Sequence, residues 1–208
     1  MMARKLTDYP EISVNPEDLD GTIDFVRLFG RSGPVHIEIG CGKGTFLVNQ
    51  APFSPEVNFL GIERANKYYR LVVDRLGRHS VGNVRVVRAD AAEFLQRFVG
   101  DGSVGCFHIY FPDPWPKRRH HKRRFFCRSN VQELIRCLAA GGVIKAATDH
   151  EEYFEAISGV MEALKSHLGP SEFVRPPGAQ EGEWTGTNFE RKYIKQAKRI
   201  YTAAWKKL

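Results

Sequence analysis

The ten residues VHIEIGCGKG, Val35 to Gly44, decide the fold. Val35 to Ile39 is a compact, β-branched run that stops at a glycine, as a buried strand does. Glycines at alternate positions 40, 42 and 44 then let the backbone turn sharply and let a ligand approach without interference from Cβ atoms. Similar runs recur at Val57 to Ile62, Val84 to Val87, Cys106 to Phe111 and Val143 to Ala147. Between them Tyr69/Val72/Val73/Leu76, Ala91/Phe94/Leu95/Phe98 and Val131/Leu134/Ile135/Leu138 each place one apolar stripe at helical spacing, and Phe154/Ile157/Met161/Leu164/Leu168 adds a narrower one. Strand alternating with helix predicts an α/β fold of right-handed βαβ units, with a mostly parallel, doubly wound sheet covered on both faces. The apolar residues of these runs are then core.

The flanks are less regular. Residues 1–33 form a lead with a helix near Leu19 to Phe29. Gly169 to Gly186 holds three prolines and four glycines, which reads as a long surface loop. Together with Thr187-Asn188-Phe189-Glu190 it makes a substrate-side segment over 169–190. A basic helical segment follows, and Arg199 to Trp205 closes the sheet as an antiparallel C-terminal strand. With no internal repeat, the 208 residues, 42% of them apolar, read as one domain.

Six of the net +7 charges fall in one stretch, Lys117 to Arg124, so the basicity is local. A second cluster, Arg191 to Lys207, carries seven cations and no acid. Local cationic runs suit a polyanion, because neutralising phosphates releases condensed counterions. Cys41, Cys106, Cys127 and Cys137 lack CxxC spacing and read as free thiols in a reducing cytoplasm, with no metal site expected. The N-terminus has no apolar signal region, and no stretch approaches the ~20 apolar residues of a spanning helix, so no membrane partner is expected.

In a doubly wound sheet, ligands sit beyond the carboxyl ends of the strands, near the switch in strand order. The loop after the first strand is G-x-G-x-G. The dinucleotide fingerprint would want glycine at Thr45, and a P-loop would want Ser or Thr after Lys43, so neither fits. Glu63 ends the second strand, where a carboxylate can accept from both ribose hydroxyls. Asp90, before Ala91, ends the third, where it can accept from an adenine amino group or cap the following helix. Glu38 adds a carboxylate beside a loop suited to a cationic amino-acid moiety. Together Glu38-x-Gly40-x-Gly42-x-Gly44, Gly61-Ile62-Glu63 and Ala89-Asp90-Ala91 resemble the Rossmann-like S-adenosylmethionine-dependent methyltransferases.

The fourth strand runs into FPDPWPKRRHHKRR, Phe111 to Arg124. Pro112, Pro114 and Pro116 fix φ at alternate positions and push the residue before each toward extended backbone, holding Asp113 and Trp115 stiffly at the cleft edge. This string closely resembles the tRNA (guanine-N7-)-methyltransferase family, which modifies the variable-loop guanine of tRNA. The likeness continues through Thr148-Asp149 and Thr187-x-Phe189-Glu190, from Val35 to the end of the chain. The resemblance implies S-adenosylmethionine held by Glu38, the loop of Gly40, Gly42 and Gly44, Glu63, Asp90, Ala91 and Asp113, with Asp113 also the active-site acid. It implies substrate contacts at Lys117, Asp149, Thr187, Asn188, Phe189 and Glu190, and a tRNA-contacting run of Arg119, His120, His121, Lys122, Arg123 and Arg124. The N-terminal arm is short, with only Arg4 and Lys5 basic. Methyl transfer to N7 needs alignment and electrostatics rather than a base. Asp113 or Asp149 would stabilise charge on the purine, and Glu190 would accept from guanine N1 and its exocyclic amino group. Two alternatives stay open: a methyltransferase acting on another base or a small molecule, and a non-catalytic RNA-binding protein on the same fold. Monomer and homodimer are equally compatible with the sequence.

Overall fold

The computed structural model describes residues 5–208; Arg4, half of the expected basic arm, lies outside them. Five parallel strands form the sheet's centre: β2 (Val35–Ile39), β3 (Asn58–Glu63), β4 (Val84–Arg88), β5 (Val104–Tyr110) and β6 (Leu138–Thr148). Each matches an apolar run in the sequence, since strands buried on both faces need no polar alternation. The lead contributes β1 (Ser13–Val14), which pairs with β4 and adds an edge strand to the sheet. The expected helix there is only α1 (Phe25–Phe29), started by the Asp24 carboxylate and ended by Gly30 in left-handed conformation.

At the other edge β8 (Tyr201–Lys207) runs antiparallel to β6, as the C-terminal pattern predicts, and β7 (Leu168–Ser171) pairs with it. This corrects the loop boundary: Leu168–Ser171 is an edge strand. Its Gly169-Pro170 pair reads as a turn in sequence, but an edge strand tolerates proline because one side needs no ladder partner. The full order is β1-β4-β3-β2-β5-β6-β8-β7. Strand order reverses between the neighbours β2 and β5, which makes their carboxyl ends the switch point.

The helices α3 (Asn66–Arg78), α4 (Ala91–Phe98), α5 (Arg128–Cys137) and α6 (Glu151–Glu162) bury the stripes read from the sequence. Helix α2 (Thr45–Gln50) is not legible that way: Thr45, Phe46, Leu47, Val48 and Gln50 are all buried, so it shows no polar face. Helix α7 (Asn188–Lys195) leads to β8. The apolar side chains divide into two clusters. One is built around Ile37, Leu60, Phe107 and Ile144, the other around Phe46, Phe59, Val72 and Val86.

Candidate active site at the switch point

The glycine loop has the backbone its composition calls for. Gly40, Gly42 and Gly44 all adopt positive φ, at 74°, 53° and 67°. At Gly44 a Cβ would lie 2.2 Å from Val72 Cγ2, so glycine is needed for α2 to pack on α3. At Gly40 a Cβ would meet nothing within 4 Å, so the loop borders open space there.

Two carboxylates face this loop. Glu63, at the end of β3, accepts from Gly42 N at 2.8 Å through Oε2 and from Ala65 N at 2.8 Å through Oε1. Glu38, on β2, is 4% exposed, and its Oε2 is enclosed with no hydrogen-bond partner among the described residues. Burial pushes the Glu38 carboxyl up to about 8, and the neighbouring Glu63 charge adds to the shift. A buried acceptor without a donor costs free energy unless something supplies one. These residues fit a ligand that brings a cationic amino group to Glu38, hydroxyls to the free lone pairs of Glu63, and bulk to the space beside Gly40.

Asp90 caps α4: Oδ1 accepts from Ala92 N at 3.1 Å and from Glu93 N at 3.4 Å, while Oδ2 lies 3.5 Å from Arg64. The capping role weighed from the sequence is therefore present, and the exposed carboxylate keeps acceptor capacity beside Ala91, which is half-buried.

Beyond β5 the backbone of the proline-spaced turn departs from the extended form expected before proline. Phe111 and Trp115 both precede proline, yet take φ of 52° and 43°, in the left-handed region. Such residues cost roughly 1–3 kcal/mol each and persist only where surroundings over-determine them. Phe111 is held by its N–H donating to Ala147 O at 2.7 Å, and Trp115 by Arg123 lying 4.9 Å over its ring. Between them Asp113 is exposed. The rings of Phe111, Phe189 and Tyr193 cluster beside it, with centroids 5.5 to 6.5 Å apart. The sequence motif draws attention to Asp113 and Trp115 but assigns no role to Phe111 or Tyr193, whose rings meet only once β5 and α7 are side by side.

The basic run forms a 3-10 turn over Arg118–Arg123, preceded by Lys117. Lys117, Arg119, Lys122 and Arg123 are exposed, whereas His120 packs edge-on against Trp115 and His121 has Nε2 enclosed. Arg124 departs from the expected tRNA contact. It is buried, makes a bidentate pair with Glu152, donates through Nε to Pro114 O at 2.8 Å and stacks over Tyr153. Three of its N–H groups donate inside the protein, where they tie the proline turn to α6.

Glu190 also departs from its expected role. Its side chain is fully buried: Oε1 accepts from Trp184 N, and Oε2 accepts from Thr185 N, Gly186 N and the Thr185 hydroxyl, each at 2.8 Å. Thr187 caps α7 by accepting from Glu190 N at 3.2 Å. The fully buried Glu190 carboxylate faces the loop backbone rather than the cleft, and it pins the end of the long loop. Asn188 and Phe189, between Thr187 and Glu190, are exposed. The loop in turn docks on α2: Asn49 Nδ2 donates to Gly186 O at 3.0 Å, and Gly178 N donates to Gln50 Oε1 at 3.0 Å. Asp149, after β6, is paired with Lys198 at 2.6 Å. Lys198 also lies 4.5 Å over Tyr193, so Asp149 joins the aromatic cluster through a cation.

Comparison with known proteins is consistent with this geometry. A family model described as "Putative methyltransferase" matches residues 32–203. A tRNA (guanine-N(7)-)-methyltransferase from Alkalilimnicola ehrlichii is 38% identical over 188 residues, covering 89% of this chain and 77% of the relative. A protein of the same name from Geobacter metallireducens is 33% identical over 93% of this chain and 92% of its own. Among solved structures, a SAM dependent methyltransferase from Aquifex aeolicus superposes with a TM-score of 0.56 at 11% identity, covering 88% of this chain and 87% of that one. A protein described as "a putative methyltransferase from streptococcus mutans in complex with SAH" gives 0.54 at 9% identity, covering 85% and 90%. Likeness at that identity speaks for the fold, which is the methyltransferase form of the doubly wound sheet.

Proposed function

The chain belongs to the tRNA (guanine-N7-)-methyltransferase family, and from that premise we propose that it methylates N7 of the variable-loop guanine of tRNA, at the carboxyl ends of β2 and β5. The observation that carries this reading is the enclosed, unpartnered Glu38 Oε2 beside a left-handed glycine loop, next to an exposed acid on a rigid, aromatic-flanked turn.

S-adenosylmethionine, when bound, supplies an electrophilic methyl group on a sulfonium. Glu38 holds the cationic amino group, Glu63 the ribose hydroxyls and Asp90 the adenine edge, with Gly40 and Gly42 leaving room for the ligand. Guanine N7 carries a free lone pair, so no group need remove a proton. The protein's work is to fix the purine and to favour the positive charge that grows on it. Asp113 supplies a negative charge at the cleft edge. Phe111, Phe189 and Tyr193 offer ring faces, which attract a cationic purine through their quadrupoles. Asn188 and Phe189 contact the substrate from the first turn of α7. Asp149 acts with Lys198 and Tyr193, while Thr187 and Glu190 shape the loop rather than touch the base.

Bringing a stacked guanine into this cleft costs a few kcal/mol. Phosphate contacts offset it from Lys117, Arg119, Lys122 and Arg123, with Arg118 on the same turn; His120 and His121 support the turn. A single domain acting in the cytoplasm completes the reading. Among the described residues no helix is long and apolar enough to cross a membrane.

The reading is tested by incubating the protein with methyl-labelled S-adenosylmethionine and unmodified tRNA, then digesting the RNA to nucleosides. Label is expected in 7-methylguanosine. Label in another nucleoside, or binding of both ligands without transfer, would replace the reading with one of the two alternatives open from the sequence.

A further inference from the structure

On the face of the sheet that carries Glu38, the central strands also hold His36 on β2 and Cys106 and His108 on β5. His36 lies directly opposite Cys106, and Glu38 opposite His108, so the four side chains share one face in two adjacent rows. One imidazole nitrogen from each histidine and Cys106 Sγ all lie within 4.8 Å of one another.

We propose that His36, Cys106 and His108 form a transition-metal site, with zinc as the fitting ion, on the amino-terminal side of Glu38 and separate from the groups that hold the methyl donor. Two imidazoles and one thiolate are three of the four donors a tetrahedral zinc needs, with a water entering past His36 as the fourth, and no exposed carboxylate is involved. The spacing is also right. His108 Nε2 and His36 Nδ1 are 3.3 Å apart. Two nitrogens bound at about 2.0–2.1 Å to a tetrahedral ion must stand about 3.3–3.4 Å apart. As a direct hydrogen bond the same separation is long. Cys106 Sγ, which now lies 3.7 Å from Phe107 O, needs to come within about 3.6 Å of each nitrogen, a shift of about 1 Å at most.

The surroundings support the same assignment. The Tyr110 hydroxyl lies 2.8 Å from His108 Nδ1, which fixes the ring and leaves Nε2 facing the cluster. This is the outer-shell arrangement that metal-bound histidines show. Phe46 and Phe59 pack against the two imidazoles and keep the site dry on the side of α2. His36 is only partly buried and gives an entry path. Lys145 opposes a cation here, being opposite His108 on β6. Its ammonium is drawn away, however, donating to Val174 O at 2.8 Å and lying 5.8 Å from the centre of the Phe173 ring. Binding exchanges the Cys106 thiol proton, released to solvent, for the metal–sulfur bond, so the site gains one positive charge rather than two. A metal here would clamp β2 to β5, the strand pair whose ends form the cleft.

The test uses the full chain, reduced and stripped with a chelator, and titrated with Co²⁺ followed by Zn²⁺. One Co²⁺ per chain should bind saturably, with a thiolate-to-cobalt charge-transfer band in the near ultraviolet and the visible bands of tetrahedral cobalt, and Zn²⁺ should displace it. Cys106→Ser should abolish the charge-transfer band. His36→Gln, at the partly exposed ligand, should weaken binding about 100-fold or more, and Tyr110→Phe about 10-fold with the bands kept. Circular dichroism of the metal-free proteins checks that each is folded. The proposal is overturned if folded wild-type protein takes up no Co²⁺ saturably, or if the same bands persist in Cys106→Ser and His36→Gln; either result assigns His36, His108 and Tyr110 to a hydrogen-bonded core network.

Discussion

Replacing Glu38 with Gln should change how stability depends on pH, and the size of the change follows from the site. Burial raises the folded carboxyl from the ordinary 4.5 to about 8. Between those values the folded protein without ligand binds a proton that the unfolded chain does not. Stability therefore falls as pH rises across that window and levels off above it. For a group moving from 4.5 unfolded to 8 folded, the loss between pH 5.5 and pH 7.5 is about 2–3 kcal/mol. Urea unfolding of wild type and Glu38→Gln at both pH values measures it. The difference between the two proteins cancels every other titrating group, including the buried histidines. Wild type should lose about 2–3 kcal/mol relative to the variant over that interval. The ligand enters through the same proton: a cationic amino group at Glu38 Oε2 favours the carboxylate, so binding S-adenosylmethionine at pH 7 should release close to one proton. Calorimetry in buffers of different ionisation enthalpy reads that number, and Glu38→Gln should release none through this group. Parallel pH profiles for the two proteins, or equal proton release, would refute the claim that Glu38 sits neutral and waits for a donor.

Other substitutions separate grip from structure. Arg124→Ala should destabilise the protein by about 2–3 kcal/mol, through the lost Glu152 pair, the Pro114 carbonyl contact and packing on Tyr153. It should leave the salt dependence of tRNA affinity unchanged. Arg119→Ala and Arg123→Ala should do the reverse, keeping the melting temperature while each flattens the slope of log K against log salt by about 0.7–0.9. Glu190→Gln turns an amide N–H₂ toward backbone N–H donors and should cost about 1–3 kcal/mol, with hydrogen exchange speeding up at residues 184–186. If its exchange stays slow and only the KM for tRNA rises, Glu190 touches substrate after all. Asp113→Ala should lower kcat with tRNA affinity nearly intact, since the exposed carboxylate makes no contact that holds the turn; loss of both together would make it structural.

The sequence told most where burial was uniform. Strands β2 to β6 are largely buried on both faces, and the glycine loop takes its three positive φ values, so the fold could be read from Val35 to Gly44 outward. The misses have physical causes. Helix α2 is buried all round and lacks a period, and β7 hides behind Gly169-Pro170 because edge strands tolerate proline. Arg124 looks like its neighbours in an all-cationic run; only Phe125-Phe126 just after it hints that the chain is turning inward, and Phe126 is buried. Glu190 reads as a free acid unless the T-x-x-E spacing marks Thr187 as a helix cap; Thr187 does accept from Glu190 N, while the Glu190 carboxylate turns back to the N–H groups of residues 184–186 instead. Cysteine spacing along the chain shows no metal signature, and the His36, Cys106 and His108 cluster comes together only across neighbouring strands.

The central claim is that the cleft between β2 and β5 delivers a methyl group to one guanine nitrogen in folded tRNA. It is tested most directly by mapping the product. Unmodified tRNA is methylated by the purified protein, cleaved chemically at 7-methylguanosine, and compared with the same tRNA carrying adenosine at the variable-loop guanine. A single cleavage in the variable loop that disappears in the substituted tRNA is the expected result. Cleavage elsewhere, or methyl incorporation that persists in the substituted tRNA, would contradict the account.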